Sequence, residues 1–229
     1  MPISYIEIIG LAGSGKSTLR DLLIEQGHKS GETYRYRQPL TLNIFGRYKL
    51  GFKFLSLFLV HPIALKWILA TPSGPYAKSP HVDKVTKNLK FRVILESIII
   101  RHLLSGSPKK LINDEGIIGK VVVLSLLLQK NMSDVIQLLN ILLPSKLGIF
   151  FIDIEISKAI QQIHERGLSL PFWDEMDEQL RFELCEDCMT RYSAIFQALS
   201  KRNEVSTYKI SNNGSKRDFA SKIMEVASV

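Results

Sequence analysis

The stretch Gly10-Leu11-Ala12-Gly13-Ser14-Gly15-Lys16-Ser17-Thr18 follows an apolar run, Ile3-Ser4-Tyr5-Ile6-Glu7-Ile8-Ile9, and opens a segment of helical character. It fits G-x-x-x-x-G-K-[ST] in the order of strand, loop and helix that this pattern requires. Gly10, Gly13 and Gly15 let the backbone approach an anion closely and take dihedrals closed to other residues. Successive N–H groups along Ala12, Ser14 and the helix start from Lys16 to Thr18 then face the phosphates of a nucleotide. Lys16 supplies a point charge for β- and γ-oxygens, and the Ser17 hydroxyl is a hard ligand suited to Mg²⁺. The loop is therefore expected to bind a nucleotide together with Mg²⁺.

The rest of the chain is compatible with one folded domain over 1–229. Its 229 residues are 45% apolar with only 14 Gly and 9 Pro, a globular composition, and the length suffices to bury a core without covalent staples. Two cysteines exclude a disulfide scaffold. The chain opens on its first strand without the pattern of a secretory leader, so a cytoplasmic setting is expected.

Charge is unevenly placed. Of the formal net charge of +8, the first 115 residues carry 17 Lys+Arg against 8 Asp+Glu, and between Arg35 and Arg92 eleven basic residues face a single acid, Asp83. An anionic partner is expected there; charge alone leaves open a phosphorylated metabolite, a membrane surface or nucleic acid. Within that region the uncharged run Phe54 to Leu65 is too short, and too broken by His61, Pro62 and Lys66, to span a bilayer. It reads as a core helix, with an interfacial segment or the wall of an apolar pocket as alternatives.

Strand and helix patterns alternate, as in a parallel sheet covered by helices. Strands are expected at 3–9, 33–38, 109–113, 148–154 and 205–211. Helices are expected at 16–26, 41–70 with a break at Pro62, 83–104, 117–129, 133–143, 156–166, 175–200 and 215–227. The third strand, Lys109-Lys110-Leu111-Ile112-Asn113, ends in Asp114-Glu115-Gly116, as a Walker B element does. Asp114 is the candidate Mg²⁺ partner and Glu115 the candidate base for the acceptor's proton. Their roles are interchangeable on sequence grounds, and a helix-capping turn is the plain alternative.

The loop at 10–18, the acidic pair about 100 residues later and the overall length resemble the P-loop nucleoside and nucleotide kinases, with thymidylate kinases nearest. Arg37-Gln38-Pro39 resembles that family's Arg-Glu-Pro beside the acceptor, with Gln for Glu. Ile149-Phe150-Phe151-Ile152-Asp153-Ile154, followed by Lys158 to Gly167, resembles its fourth strand and the helix entering the lid, here 162–176. Arg166 matches a lid arginine, whereas Gln162 stands where another is common. The turn Ser211-Asn212-Asn213-Gly214 falls where the family packs the adenine, which places Asn213 at the nucleotide. The resemblance implies a P-loop NTPase three-layer α/β fold with a parallel five-stranded sheet; it does not cover 40–105, where that family's acceptor usually binds and where a helical acceptor-binding insertion is expected. Arg37, Arg92 and Arg101 are the acceptor-side candidates, Arg92 and Arg101 equally readable as surface arginines, with Arg181 and Arg191 as further lid-side ones.

Other readings are weaker. Cys185-Glu186-Asp187-Cys188 lies in a helix, with Cys188 on an apolar stripe of Leu180, Leu184, Tyr192, Phe196 and Leu199 and Cys185 at its edge, and has no second ligand pair for zinc. The five histidines show no metal spacing. A guanine-reading N-K-x-D is absent, as is a transporter-type L-S-G-G. The sequence thus points to an ATP- and Mg²⁺-dependent kinase acting on a small-molecule acceptor, nucleic acid being disfavoured. The alternative is a nucleotide-dependent switch with slow ATP hydrolysis that docks a partner, or sits peripherally on a membrane, through residues 35–92.

Overall fold

A computed structural model describes residues 3–29, 34–36, 62–77, 81–105, 110–165, 173 and 175–213. Five strands alternate with helices: β1 (Tyr5–Ile9), α1 (Lys16–Lys29), β2 (Tyr34–Tyr36), α2 (Pro62–Leu69), α3 (Val82–Ser105), β3 (Lys110–Asn113), α4 (Ile117–Leu127), α5 (Met132–Leu142), β4 (Leu147–Asp153), α6 (Ile156–Glu165), α7 (Glu178–Ser200) and β5 (Val205–Ser211). A single 3₁₀ turn (Pro75–Ala77) lies between α2 and α3.

The strands form one parallel sheet in the order β2-β3-β1-β4-β5. In this order β1 is central, with Glu7 opposite Asn113 on one side and Ile149 on the other. The chain after β1 runs outward to β2, returns through β3, and then crosses to β4. The carboxyl end of β1 is therefore a topological switch point, where open parallel sheets bind ligands. β1 and the first six residues of β4 are buried throughout, as parallel strands covered on both faces must be.

Alternation along β1 divides the core. Ile6 and Ile8 pack with Leu19 and Leu23 of α1, Ile112, Phe150 and Ile210. Tyr5 and Ile9 face the larger cluster built from α3, α4, α5, α6 and α7. Helix α4 is apolar on nearly every side and almost wholly buried, so it is the central element of that layer. Asn131 and Asp177 cap α5 and α7 by accepting the N–H groups of Asp134 (2.8 Å) and Leu180 (2.7 Å). Helix α4 has glycine at its cap position and no such side chain; Glu7, from β1, accepts the Ile118 N–H at 2.5 Å instead.

The expected elements are present to within a few residues wherever the chain is described. The long helix expected at 41–70 begins, in its described part, at Pro62, where a missing N–H costs nothing. Of the apolar run, Ala64 is buried as a core helix requires, and so is Trp67 beyond it, but Leu65 and Leu69 are exposed. Residues 41–61 and the helix expected at 215–227 lie outside the described residues. Among those described, no helix is long and apolar enough to cross a membrane.

Candidate active site

The loop after β1 is held by close backbone packing. Gly10, Gly13 and Gly15 have φ of 146°, 78° and 96°. A Cβ on Gly13 would lie 2.6 Å from the Ala159 carbonyl of α6, and one on Gly10 2.8 Å from the Ile152 carbonyl of β4. Any side chain there would push the loop off the sheet. Asn212, just past β5, donates to the Ser14 carbonyl at 2.8 Å and is itself buried, so the far end of the chain pins the loop's middle.

Lys16 donates to the Gly10 and Leu11 carbonyls at 3.0 and 2.7 Å, folding its ammonium over the loop it belongs to. One residue on, Ser17 donates to Asp114 Oδ2 at 3.0 Å, joining the loop to the acidic turn after β3. Arg20, one turn further along α1, donates to the same oxygen at 2.8 Å and also pairs with Asp21. Asp114 is 3% exposed, and its Oδ1 has no hydrogen-bond partner among the described residues. The neighbouring Glu115 is exposed, and its N–H is held by Asn113 Oδ1 at 3.1 Å. Asn113 therefore serves the turn, which explains a polar residue closing an otherwise apolar strand.

Beneath this turn lies a buried polar network. Glu7 accepts from Tyr5 at 3.0 Å as well as from Ile118, and Lys120 pairs with the buried Glu96 at 3.1 Å. Burial pushes the Glu7 carboxyl up to about 7, with the Ile118 N–H, the Tyr5 hydroxyl and Lys120 opposing and Glu96 reinforcing the shift. Gly116 is required by this approach, since a Cβ there would fall 2.2 Å from Glu7 Cδ.

The remaining candidates are distributed differently. Asn213 accepts the Glu155 N–H at 2.7 Å and so braces the turn between β4 and α6, while Asn212 reaches the loop. Gln162 has its Cβ 3.3 Å from the position of a Gly13 Cβ, so α6 packs directly on the loop. Arg92 is exposed on α3, and Arg101 donates to the Ile141 carbonyl near the end of α5. Arg181 donates to the Trp173 carbonyl at 2.9 Å and lies over its ring, and Arg191 ties α7 to Ser125 and the Lys130 carbonyl. Both bind elements of the fold together. Arg37 and Arg166, with most of the lid, lie outside the described residues. Cys185 and Cys188 are buried free thiols on α7; burial pushes Cys185 up to about 12 and Cys188 higher still.

Sequence reasoning missed Arg20, Asn212 and Glu7. Arg20 had a signal, its i+3 spacing from Ser17 on one helix face. Asn212 and Glu7 act through partners 198 and 111 residues away, which no local pattern reveals.

No family model matches the chain, and no curated protein matches it. Solved structures do. Deoxyadenosine kinase from M. mycoides with bound dATP aligns with a TM-score of 0.56 at 15% identity, over 99% of this chain and 100% of that one. Thymidylate kinase from Ehrlichia chaffeensis gives 0.54 at 17% identity, over 98% and 96%. Shikimate kinase from Bacteroides thetaiotaomicron gives 0.51 at 10% identity, over 99% and 98%.

The chain has the P-loop kinase fold. Coverage of nearly the whole of both chains means that this P-loop kinase fold extends through the helical layer as well as the phosphate loop. Identities of 10–17% leave the side chains of that layer to be read on their own terms.

Proposed function

We propose that the protein is an ATP- and Mg²⁺-dependent small-molecule kinase that moves the γ-phosphoryl group to a hydroxyl or phosphate of an acceptor. The observation that carries this reading is the junction of Lys16, Ser17 and Asp114: a phosphate cradle at the switch point, with a cation and a carboxylate brought together on it.

Backbone N–H groups of residues 12–18 would bind the phosphates, and the Lys16 ammonium would leave its own loop carbonyls for the β- and γ-oxygens. The residues fit a magnesium ion. Ser17 and Asp114 offer hard oxygens already in contact, and the buried Asp114 Oδ1 lacks a partner among the described residues. When bound there, Mg²⁺ would neutralise phosphate charge and orient the γ-group. Asp114, held in place by Ser17 and Arg20, takes the metal-side role. Glu115, exposed beside it, takes that of accepting or orienting the acceptor's proton. Arg166 would close over the transferring group, and Arg37 and Arg92 would meet an anionic acceptor. A reaction fed by ATP is compatible with the cytoplasmic setting expected from the sequence.

Acceptor-dependent ADP release tests the reading. A fractionated metabolite and lipid extract is expected to raise ADP release several-fold above basal hydrolysis, with label from γ-labelled ATP recovered in one compound. Basal hydrolysis that no fraction stimulates, together with nucleotide-dependent binding to a partner or vesicle, would favour a switch instead.

A further inference from the structure

Helix α2 and the first half of α3 enclose a groove of about 650 Å³, and none of its lining residues belongs to the phosphate loop, the acidic turn or α6. Four large apolar side chains stand exposed among the described residues, and three of them line this groove: Leu65 (42% exposed), Leu69 (71%) and Phe91 (53%). Such clustering around one concavity marks a binding surface rather than scattered surface residues.

Among these apolar residues the groove also carries the polar side chains of Asp83, Thr86, Lys87 and Lys90, two ammonium groups against one carboxylate. Lys90 donates to the Ile68 carbonyl at 2.9 Å and to the Ala70 carbonyl, both neutral acceptors at the end of α2. Burial holds its ammonium below the usual lysine range, Lys130 and Lys87 lower it further, and only Asp83 opposes them. Lys87 is exposed on the same wall. The Thr86 hydroxyl, on a residue 1% exposed, has no hydrogen-bond partner among the described residues. A buried hydroxyl is costly without a partner, and an excess of ammonium groups calls for an anion. Apolar walls with a few polar groups among them are the usual make-up of a small-molecule pocket of about 300–1,000 Å³.

We infer that this groove binds a single-chain amphipathic phosphate, its hydrocarbon tail against Leu65, Leu69 and Phe91 and its head group received by Lys87, Lys90 and the Thr86 hydroxyl. The site is separate from the phosphate loop, and its occupancy does not depend on phosphoryl transfer.

Calorimetric titration of the full chain with dodecyl phosphate, kept below micelle-forming concentration and without nucleotide, tests the inference directly. Saturable binding with one equivalent is expected, and inorganic phosphate or dodecanol should bind at least ten-fold more weakly. Thr86→Val should weaken binding about five-fold without lowering the thermal midpoint, because the substitution removes an unpaired hydroxyl at nearly constant shape. Lys87→Glu and the exposed Leu69→Asp should each weaken it ten-fold or more. No saturable binding, equal binding of dodecanol, or indifference to Thr86→Val and Lys87→Glu would overturn the proposal. Binding to phosphatidylserine vesicles that is lost in Leu69→Asp, without binding of the monomeric probe, would overturn it in favour of a membrane-docking face.

Discussion

Arg20 Nη1 lies 2.8 Å from Asp114 Oδ2 and shares that oxygen with the Ser17 hydroxyl, across 94 residues of chain. The guanidinium thus fixes the orientation of a nearly buried carboxylate and offsets its charge, while the second oxygen is left for another ligand. This ties the helix after the phosphate loop to the turn after β3 more firmly than the serine alone could.

Removing the guanidinium leaves the Asp114 charge buried with Ser17 as its one neutral donor among the described residues. Arg20→Met is expected to cost about 2 kcal/mol of stability in urea unfolding. Adding Asp114→Asn should recover part of that loss, because the stranded charge is then gone. Strictly additive losses would show that the pair is not coupled.

The two adjacent asparagines should separate in function. Asn212→Ala strips the Ser14 carbonyl of its donor inside the loop, so the KM for ATP should rise several-fold with about 1 kcal/mol of destabilisation. Asn213→Ala removes only the brace on Glu155 at an exposed turn and should leave the KM for ATP within two-fold. Equal effects of the two changes in steady-state kinetics would contradict the placement of the loop.

Glu7 gives a pH dependence of definite sign. Its carboxyl titrates near 7 when folded, against about 4.3 in an unfolded chain, so in the interval between these values the folded state holds a proton that the unfolded state has lost. Stability should therefore fall as pH rises through that interval, by up to about 1.4 kcal/mol per pH unit for one proton. Burial sets this behaviour, with the Ile118 N–H, the Tyr5 hydroxyl and Lys120 acting against it and Glu96 with it. Glu7→Gln, which keeps an oxygen for the Ile118 N–H, should remove that contribution when the two proteins are compared by chemical denaturation across pH 4–8. Identical slopes would place the titration elsewhere.

Much of the scaffold could be read locally because its causes are local. The break expected at Pro62, where the described part of α2 begins, follows from proline's missing donor, and the phosphate loop from three glycines that need positive φ or close approach. What the sequence hid are relations through space. Glu7 reads as one polar residue in a strand until the sheet register sets it beside Asn113 and under the start of α4. Asn212 and Asn213 are chemically identical, and only the path of β5 decides which reaches Ser14. Arg101 and Arg191 had the charge for a ligand, but the packing of α3 on α5, and of α7 on α4 and α5, places them on backbone carbonyls.

The central claim is that this loop transfers a phosphoryl group, and Lys16→Ala tests it most directly. The ammonium bonds two carbonyls of its own loop, at a partly buried site, so its loss should change stability by less than about 1 kcal/mol. Transfer of label from γ-labelled ATP to an acceptor in a metabolite and lipid extract should fall by at least 100-fold, as expected when a preorganised positive charge is removed from a transferring phosphate. Transfer by folded Lys16→Ala at a rate near that of the wild type would contradict the account.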